Sequence, residues 1–316
     1  MELSIVIINW NSHAYLRECL KSLGGKDDDL TWEIIVIDNA SFDGSAQIVA
    51  TEFPGVKFIQ CERNLGFSGG NNQAARQAKG DLLLFLNPDT LVESDAPVQL
   101  AKAMRQLPEA GAVGARLLNT DRTLQTSCIQ SFPTIINQIL DSDLLRGWFP
   151  RSKLWGMAAL FEASKEPLPV EAVSGACLMI KREIFERVGG FNEHYFMYSE
   201  DIDLCFKTHH AGFKNYYVPT ASVIHHGGGS SRKARSAFSN VMLRESVYRF
   251  MRLHQGRVSA VLFRACLGVS ALVRLPVAIS VWLFQKSIGS ETDAPVGKWF
   301  SILRWSCGLE SWAAKQ

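Results

Sequence analysis

The stretch LSIVIINWNS, residues 3–12, decides the fold, because a short apolar and β-branched run stops there at a polar corner. Such a run is typical of a strand buried on both faces of a sheet. A helix is predicted to follow, since the next apolar positions fall on one helical stripe and two glycines then end it. These residues are Tyr15, Leu16, Cys19, Leu20 and Leu23, followed by Gly24 and Gly25.

The same order of strand and helix repeats along the first part of the chain. Buried strands are predicted at 33–37, 56–60 and 82–86, with helices at 43–51 and after the Gly/Asn-rich turn 64–72, to about residue 79. The repeat predicts an α/β fold with a mostly parallel central sheet flanked by helices. Because ligands bind at the carboxyl ends of strands in such sheets, the polar residues after each strand are the candidates for a site.

The pattern is less regular after residue 120. Residues 121–169 show little periodicity and are predicted to be irregular. Strands are predicted at 173–180, 215–218 and 222–224, and helices at 183–188 and 199–211. We interpret this part as a second half of the same domain.

The last part of the chain is strongly apolar. Residues 258–284 carry few polar side chains, and the window 265–284 has the roughly 20 residues that a membrane span needs. Arg274 lies near its centre, at a cost of about 2.5–3.5 kcal/mol on insertion scales, with Pro276 just beyond. The surrounding Arg and Trp residues favour a helical segment that lies in the membrane interface. A packed pair of soluble helices and a true span are the alternatives.

Composition and charge argue against several classes of protein. A net charge of +2 without a long Lys/Arg run argues against nucleic-acid binding. The seven cysteines contain no CxxC pair, which argues against a zinc ribbon or a disulfide scaffold and indicates a reducing compartment. The chain opens directly on its first strand without a basic leader, so we expect a cytoplasmic protein.

Three polar segments follow the first three predicted strands. Asn9-Trp10-Asn11 ends the first strand and Asp38-Asn39-Ala40-Ser41 ends the second. Asp38 can accept a hydrogen bond from a pyrimidine N–H, although Asp and Asn are also common helix caps and turn formers. In residues 62–72, ERNLGFSGGNN, glycines let the backbone approach a ligand, and the start of the following helix favours an anion beside Arg63. The segment is neither a Walker sequence nor GxGxxG, so Rossmann-type dinucleotide binding is not expected.

Two further clusters carry acidic residues. NPDT, residues 87–90, ends an apolar strand, where Asp89 would hold a divalent cation against a diphosphate; a simple Pro-Asp turn is the alternative. In YSEDID, residues 198–203, Ser199 is predicted to cap a helix whose first turn holds two carboxylates, which the helix dipole favours in any case. His225 ends a short strand and either completes a metal site or is an exposed polar residue.

The ordered motifs resemble the inverting family 2 glycosyltransferases with the GT-A fold, and within them the rhamnosyltransferase-like branch of surface-polysaccharide enzymes. The resemblance covers about residues 3–231 and implies a GT-A domain, to which the sequence pattern adds a C-terminal helical apolar extension. It rests on IVIINWN, IVIDNASFDGS, ERNLGFSGGNN, LFLNPDT, VSGACLMIKREIFERVGGFNE, FMYSEDIDLCFK and VIHHGGGS.

The resemblance also implies a role for each matching residue. Asp201 matches the catalytic base of the ED motif, with Glu200 beside it. Asp89 matches the metal-binding Asp of the DxD motif, with His225 as a second ligand for Mg²⁺ or Mn²⁺. Asn87 departs from the family, because it replaces the first acid of DxD and brings no charge. The implied donor-binding residues, with Asp38 at the nucleobase, are Asn9, Asn11, Asp38, Asn39, Arg63, Gly66, Phe67, Asn71 and Asn87.

These roles divide the chain into three expected parts. Residues 1–120 would be the nucleotide-sugar-binding half of the GT-A domain, 121–232 the acceptor-binding half with the base, and 233–316 a helical membrane-interface segment. The resemblance implies transfer of a sugar, best guessed as rhamnose from dTDP-rhamnose, with inversion. The acceptor would be a glycan or lipid-linked glycan at the inner face of the cell membrane.

Two other functions fit parts of the pattern. A nucleotidyltransferase acting on sugar phosphates also uses an α/β sheet, a phosphate loop and Mg²⁺, but usually carries a basic Gly-rich loop after its first strand. Residues 9–13 contain neither Gly nor Lys. A non-catalytic nucleotide-sugar-binding module would keep the fold without the chemistry, and Asp89, Asp201 and His225 argue against it.

Overall fold

A computed structural model describes residues 1–24, 30–93, 95–162, 164–227, 237–288 and 296–315. The strands are β1 Leu3–Asn9, β2 Trp32–Asp38, β3 Lys57–Gln60, β4 Leu82–Leu86, β5 Thr90–Val92, β6 Ala110–Leu118, β7 Ile129–Gln130, β8 Leu168–Val170, β9 Ala172–Val173, β10 Cys177–Lys181 and β11 Lys214–His225. The helices are α1 His13–Ser22, α2 Ser45–Glu52, α3 Gly66–Ala75, α4 Ala96–Gln106, α5 Ile135–Leu140, α6 Asp143–Trp148, α7 Arg182–Arg187, α8 Glu200–His210, α9 Ala237–His254, α10 Gly256–Ser287 and α11 Val296–Ser306.

One nine-stranded sheet organises most of these elements. Its order is β3-β2-β1-β4-β10-β6-β11-β5, with β8 paired to β11, and β7 and β9 form a separate ladder. The pairs among β1 to β4 are parallel, as predicted, because helices connect these strands. β10 runs antiparallel to both β4 and β6, so the sheet as a whole is mixed. The predicted α/β sheet flanked by helices is confirmed, with parallel pairing among β1 to β4 and again between β6 and β11.

The register of the parallel strands creates the edge that carries the polar clusters. Asn9 lies opposite Asp38, and Ile7 lies opposite Leu86. All seven residues of β1 and all five of β4 are buried, so these strands form the centre of the hydrophobic core. The residues that follow them therefore emerge together at one edge.

The Gly/Asn-rich segment was predicted as a turn with a helix after it, and this prediction is wrong. Helix α3 already begins at Gly66, whose φ of 70° reverses the chain. At Gly70 a Cβ atom would lie only 3.1 Å from the Ile8 side chain, so the small residues allow the helix to pack directly on β1. The glycines therefore serve close helix–strand packing inside the helix.

Two other predicted boundaries also differ. The predicted strand 173–180 is broken at residues 174–176, because β9 pairs with β7 whereas β10 joins the main sheet. The two predicted strands at 215–218 and 222–224 form the single strand β11, whose register with β6 shifts between Val218 and Ser222. The predicted irregular segment 121–169 contains short helices, single 3₁₀ turns and the strands β7 and β8.

Contacts divide the chain into two compact units. Unit 1 comprises residues 1–132, 149–196 and 200–232, and unit 2 comprises 133–148, 197–199 and 233–316. The expected boundary between 232 and 233 lies outside the described residues, as do Gly25 and the end of the VIHHGGGS motif. In unit 2, the predicted C-terminal apolar helix is present as α10, which is long and apolar enough to cross a membrane. It continues through Pro276.

Candidate active site

The first polar cluster is buried and holds two loops together. Asn9 and Asp38 are 0% and 1% exposed, and the Asn9 amide donates to Asp38 Oδ1 at 2.7 Å. Asp38 Oδ2 accepts from the backbone N–H of Ser41 at 2.9 Å. Asn11 accepts from the backbone N–H of Phe42 at 3.0 Å. These bonds shape the corner at the ends of β1 and β2, and the predicted contact of Asp38 with a nucleobase stays a prediction.

The second cluster is anchored to the first. Asn39, also buried, donates to the carbonyl of Gly66 at 3.0 Å and so fixes the start of α3. The Asn71 amide is buried and donates to the Phe67 carbonyl one helical turn earlier, at 3.0 Å. Arg63 is exposed just before the helix. The structure thus gives Asn39 and Asn71 supporting positions, whereas Arg63 is open to a ligand.

The end of β4 faces the end of β11. Asp89 Oδ1 lies 3.3 Å from His225 Nε2, and the Asn87 amide nitrogen lies 3.3 Å from the same Nε2 atom. This arrangement follows from the antiparallel pairing of β5 with β11, in which Thr90 lies opposite His225. The three residues predicted from the NPDT and HH motifs therefore meet in space.

Gln125 determines which nitrogen of His225 carries the proton. Its Oε1 lies 2.7 Å from His225 Nδ1, while its Nε2 donates to Asn119 Oδ1 at 3.1 Å. The His225 Nδ1 atom therefore donates to Gln125, and in the neutral ring the lone pair is on Nε2, the atom beside Asp89. A buried or half-buried imidazole in this tautomer is suited to bind a metal ion.

The spacing of the Asp89 and His225 side chains fits a divalent cation. Neighbouring ligands of an octahedral Mg²⁺ or Mn²⁺ ion, each about 2.1 Å from it, lie about 3 Å apart. The 3.3 Å between Asp89 Oδ1 and His225 Nε2 agrees with that spacing. No group of three or more His, Cys, Asp or Glu ligands occurs in the described part of the chain. The pair therefore fits an ion that takes its remaining ligands from a diphosphate and water, as Mg²⁺ commonly does.

His226 points away from this pair. Its ring lies 5.2 Å from the Tyr15 ring, and its Nδ1 lies 3.2 Å from the Thr120 hydroxyl. Its backbone N–H donates to the Asp89 carbonyl at 2.9 Å. Of the two adjacent histidines, His225 is therefore the one whose ring reaches Asp89.

The fourth cluster presents Asp201 in a defined orientation. Its Oδ2 accepts from the backbone N–H of Gly175 and from the Gln130 amide, both at 2.9 Å, and its Oδ1 accepts from the N–H of Ile202 at 2.8 Å. A Cβ atom at Gly175 would lie 3.2 Å from Asp201 Cβ and 3.5 Å from the Phe67 ring. Asp201 is therefore held between the start of α8 and the break between β9 and β10, beside a predicted donor residue.

The predicted cap by Ser199 is wrong. An N-cap residue has extended dihedrals, whereas Tyr198 and Ser199 both have left-handed φ angles, of 69° and 65°. The buried Ser199 hydroxyl has no hydrogen-bond partner among the residues that the structure describes. Two successive strained residues before the acidic pair are a feature that clusters at functional sites.

The two neighbouring carboxyl groups differ in acidity. Burial, with the nearby Asp201 charge as the second cause, raises the pKa of Glu200 to about 8. Burial also raises the pKa of Asp201, but hydrogen bonds from Gly175, Ile202 and Gln130 oppose the increase. Glu200 is therefore largely protonated at neutral pH, and Asp201 is the carboxylate able to accept a proton.

A short backbone connection joins the Asp89–His225 pair to Asp201. The N–H of Asn87 donates to the carbonyl of Ala176 at 3.0 Å, and Gly175, one residue earlier, donates to Asp201. A candidate cation-binding pair and a candidate general base are thus connected through residues 174–176. This combination suits the transfer of a group from a diphosphate to a hydroxyl.

Comparison with known proteins agrees with this chemistry. Residues 4–189, more than half of the chain, match the family described as glycosyl transferase family 2. The chain belongs to glycosyl transferase family 2. Residues 156–226 of this family 2 chain also match the N-terminal domain of galactosyltransferase, a range that includes Asp201 and His225. The predicted resemblance is confirmed, and the protein is a nucleotide-sugar-dependent glycosyltransferase.

Two sequence relatives and one solved structure show which glycosyltransferases the family 2 chain is similar to. It is 31% identical over 242 residues to the N-acetylglucosaminyl-diphospho-decaprenol L-rhamnosyltransferase of Mycobacterium tuberculosis, covering 72% of this chain and 77% of that protein. It is 27% identical over 244 residues to rhamnosyltransferase WbbL of Escherichia coli K12, covering 72% of this chain and 84% of WbbL. The mannosyltransferase PcManGT of Pyrobaculum calidifontis, solved with GDP-Man and Mn²⁺, has a TM-score of 0.59 at 15% identity, covering 99% of this chain and 86% of that one. The last match supports the GT-A fold.

Gln125 and Gln130 are site residues of the family 2 chain that sequence reasoning missed. Both lie in the segment predicted to be irregular, and both contact their partners across long sequence separations, from Gln125 to His225 and from Gln130 to Asp201. No local signal identifies them, because β7 has only two residues and Gln130 is placed by the pairing of β7 with β9. The β7–β9 ladder thus belongs to the site.

Replacing Gln130 by Leu is expected to shift the acid limb of the pH profile. Gln130 stabilises the Asp201 carboxylate, so its loss raises the pKa of Asp201 further. A hydrogen bond to a charged group contributes about 1.5–3 kcal/mol, so we expect the acid limb of kcat/KM to move up by roughly 1–2 pH units. Gln106→Leu, an exposed matched change, should leave the profile in place. A uniform loss of rate at every pH would contradict the role given to Gln130.

Replacing Glu200 by Gln is expected to stabilise the protein at alkaline pH. The folded state holds the Glu200 proton up to about pH 8, so this group's contribution to stability decreases as pH rises from its unfolded pKa, about 4.5, through 8. Above pH 8 the free energy of unfolding of Glu200→Gln should exceed that of the wild type by on the order of 2–4 kcal/mol. Near pH 4 the difference between the two proteins should be small. Thermal unfolding at both pH values measures this. Glu183→Gln, in the exposed first turn of α7, should show no such difference; a pH-independent Tm change in Glu200→Gln would contradict it.

Proposed function

We propose that this glycosyltransferase moves rhamnose from dTDP-rhamnose, with inversion, onto a hydroxyl of a glycan or lipid-linked glycan in cell-surface polysaccharide synthesis. The observation that carries the proposal is that residues 174–176 are bonded to both clusters: the N–H of Asn87, which contacts the same His225 ring as Asp89, donates to the Ala176 carbonyl, and the Gly175 N–H donates to Asp201. The names of the two rhamnosyltransferases support rhamnose as the sugar, and the name of the Mycobacterium tuberculosis relative supports a lipid-linked acceptor.

Asp89 and His225 would hold Mg²⁺ or Mn²⁺. When bound, such an ion supplies charge stabilisation for the departing nucleoside diphosphate. Gln125 keeps the His225 Nε2 lone pair directed at Asp89. Asn87, which lacks the charge of the family's usual acid, has its amide nitrogen 3.3 Å from His225 Nε2, a contact that a bound ion would replace, and it reduces the negative charge of the site by one compared with two carboxylates.

The donor would lie along the ends of β1, β2 and α3. Asp38 keeps lone pairs for a nucleobase N–H beyond the bonds from Asn9 and Ser41. The first turn of α3 would present the Phe67 backbone N–H to an anion, since the Gly66 N–H already donates to Asn64 Oδ1, and the exposed Arg63 adds a positive charge beside it. Asn11, Asn39 and Asn71 maintain the shape of this pocket.

Asp201 would take the proton from the acceptor hydroxyl as that oxygen attacks C1 of the sugar. General-base catalysis of this kind contributes about 10²–10⁴-fold. The Gly175 N–H and the Gln130 amide fix the carboxylate's orientation and favour its charged form. A single displacement needs one base, so the configuration at C1 is inverted.

We place the reaction in the cytoplasm, at the inner face of the cell membrane. Nucleotide sugars and lipid-linked acceptors would meet there, and α10 gives the chain an apolar surface. No nucleic acid takes part.

The proposal is tested by measuring release of nucleoside diphosphate from a panel of nucleotide sugars, with Mg²⁺, Mn²⁺ or EDTA and a lipid-linked glycan extract. We expect release from dTDP-rhamnose that needs both metal and acceptor. Release of nucleoside diphosphate from another sugar nucleotide would change the proposed donor but would still support sugar transfer. Pyrophosphate release from a nucleoside triphosphate would instead show a nucleotidyltransferase, and nucleotide-sugar binding without turnover would show a binding module.

A further inference from the structure

Helix α10 in unit 2 exposes a continuous apolar stripe. Only 17% of its most apolar window is buried, whereas the core helix of a soluble protein is mostly buried. Between residues 258 and 277 the large exposed side chains recur three, four and seven residues apart and share one face of the helix, whereas all four apolar side chains from 281 to 284 are exposed. We call this face the α10 stripe; its large residues are Val258, Val261, Leu262, Val269, Leu272, Val273 and Val277.

The arginines that interrupt the apolar sequence turn away from the stripe. Arg274 donates to the Ile139 carbonyl at 2.7 Å, and its guanidinium lies 4.8 Å from the centre of the Trp299 ring. Arg264 donates to the Trp305 carbonyl at 2.6 Å and lies 4.9 Å from that ring. Both charges are satisfied within unit 2, so they impose no cost on an apolar partner at the stripe.

The opposite face of α10 packs into an apolar interior that also contains buried charged groups. On α9, Glu245 accepts from the Trp305 indole N–H at 2.9 Å and forms an ion pair with Arg249 at 3.5 Å. A helix that crossed a bilayer would carry these packed charges into the hydrocarbon with it, at high cost. Among residues 258–277 the stripe is therefore the surface that lipid can cover, which favours a helix that lies in the interface over a span.

The charged residues of α10 indicate which kind of surface the helix binds. Helix α10 contains four basic residues and no acidic one. Arg257 and Lys286 are exposed at its two ends, and Lys286 lies 5.0 Å from the Trp282 ring, a pairing typical of membrane interfaces. A second copy of the same helix would bring like charges together, whereas an anionic lipid surface neutralises them.

We propose that α10 binds an anionic membrane surface with its axis in the membrane plane and the α10 stripe immersed by about 5–10 Å. This inference refines the membrane placement proposed above. It rests on the surface of unit 2 alone, and its test requires no sugar transfer, so either proposal can fail without the other.

The test is flotation of the full chain with vesicles of phosphatidylcholine alone or mixed with phosphatidylglycerol. We expect binding to the mixed vesicles, with at least about 10-fold lower affinity in Val269→Glu/Leu272→Glu, since each side chain is more than half exposed and loses its transfer into lipid. Phe161→Glu, a matched apolar-to-acid change at a 40% exposed residue of unit 1, should bind as the wild type does. The proposal would be overturned if Phe161→Glu lost as much affinity for the mixed vesicles as Val269→Glu/Leu272→Glu, or if the wild type did not bind these vesicles.

Three further measurements keep the test independent of folding and of other partners. Circular dichroism should show unchanged helix content in the double variant. Arg257→Glu/Lys286→Glu, which leaves the stripe intact, should lose the preference for phosphatidylglycerol; an unchanged preference would overturn the anionic partner. Resistance to an alkaline carbonate wash would show a span, and a dimer in light scattering that Val269→Glu/Leu272→Glu dissociates would show a second copy at the stripe. Either result would overturn the in-plane assignment.

Discussion

Asp201→Asn is expected to lower the rate of sugar transfer by about 10²–10⁴-fold, the usual contribution of a general base. The amide occupies the same space and its single oxygen can still accept from either Gly175 or Ile202, but it cannot take a proton from the acceptor. Because Asp201 contributes no group to the predicted donor pocket, donor affinity should change little. The measurement is single-turnover transfer alongside nucleotide-sugar binding by calorimetry.

Asp121→Asn provides the matched control for this change. Asp121 is an exposed carboxylate whose hydrogen bonds go to its neighbour Thr123, so its replacement should leave both transfer and binding unchanged. Loss of donor binding in Asp201→Asn, with transfer reduced only in proportion, would move Asp201 out of the role of base and into the donor pocket.

Asp89→Asn and His225→Gln are expected to weaken binding of Mn²⁺, in the presence of a nucleoside diphosphate, by more than about 100-fold. Loss of an outer-shell partner alone typically costs about 10–100-fold, and these side chains would contact the ion itself. Gln125→Leu removes the acceptor that orients His225 but leaves both proposed ligands, so its loss of Mn²⁺ affinity should fall within that 10–100-fold range. Electron paramagnetic resonance of free Mn²⁺ measures each affinity without depending on activity.

His226→Gln is the control for the metal site. His226 is adjacent in sequence, but its ring contacts Tyr15 and Thr120, so the same substitution there should leave Mn²⁺ affinity unchanged. An equal loss in His226→Gln and His225→Gln would contradict the assignment of His225 as the ligand.

The first strands of the fold were predictable because their signal is local. The apolar runs of β1 and β4 are buried along their whole length, and such runs are distinctive without any knowledge of their neighbours. Strand β6 was not predicted, since AGAVGARLL has little β propensity. It occupies the centre of the sheet, where a Cβ at Gly114 would lie 2.4 Å from the Val173 side chain. Tertiary packing selects its small residues.

The site was predictable to the extent that its residues lie in family motifs at strand ends. Asn87, Asp89 and His225 come together as expected, and Asp201 is in place at the start of α8. The supporting residues Gln125 and Gln130 were not found, because isolated glutamines in an aperiodic segment carry no local signal. Only the 3₁₀ turn and the β7–β9 ladder bring them to their partners.

The proposed mechanism is a single displacement at C1 of the sugar, with Asp201 as its one base. The most direct test is to compare by NMR the anomeric configuration of the purified product with that of the sugar nucleotide. We predict the opposite configuration in product and donor. The same configuration in both would require a second displacement and a protein nucleophile, and would contradict the mechanism built on Asp201.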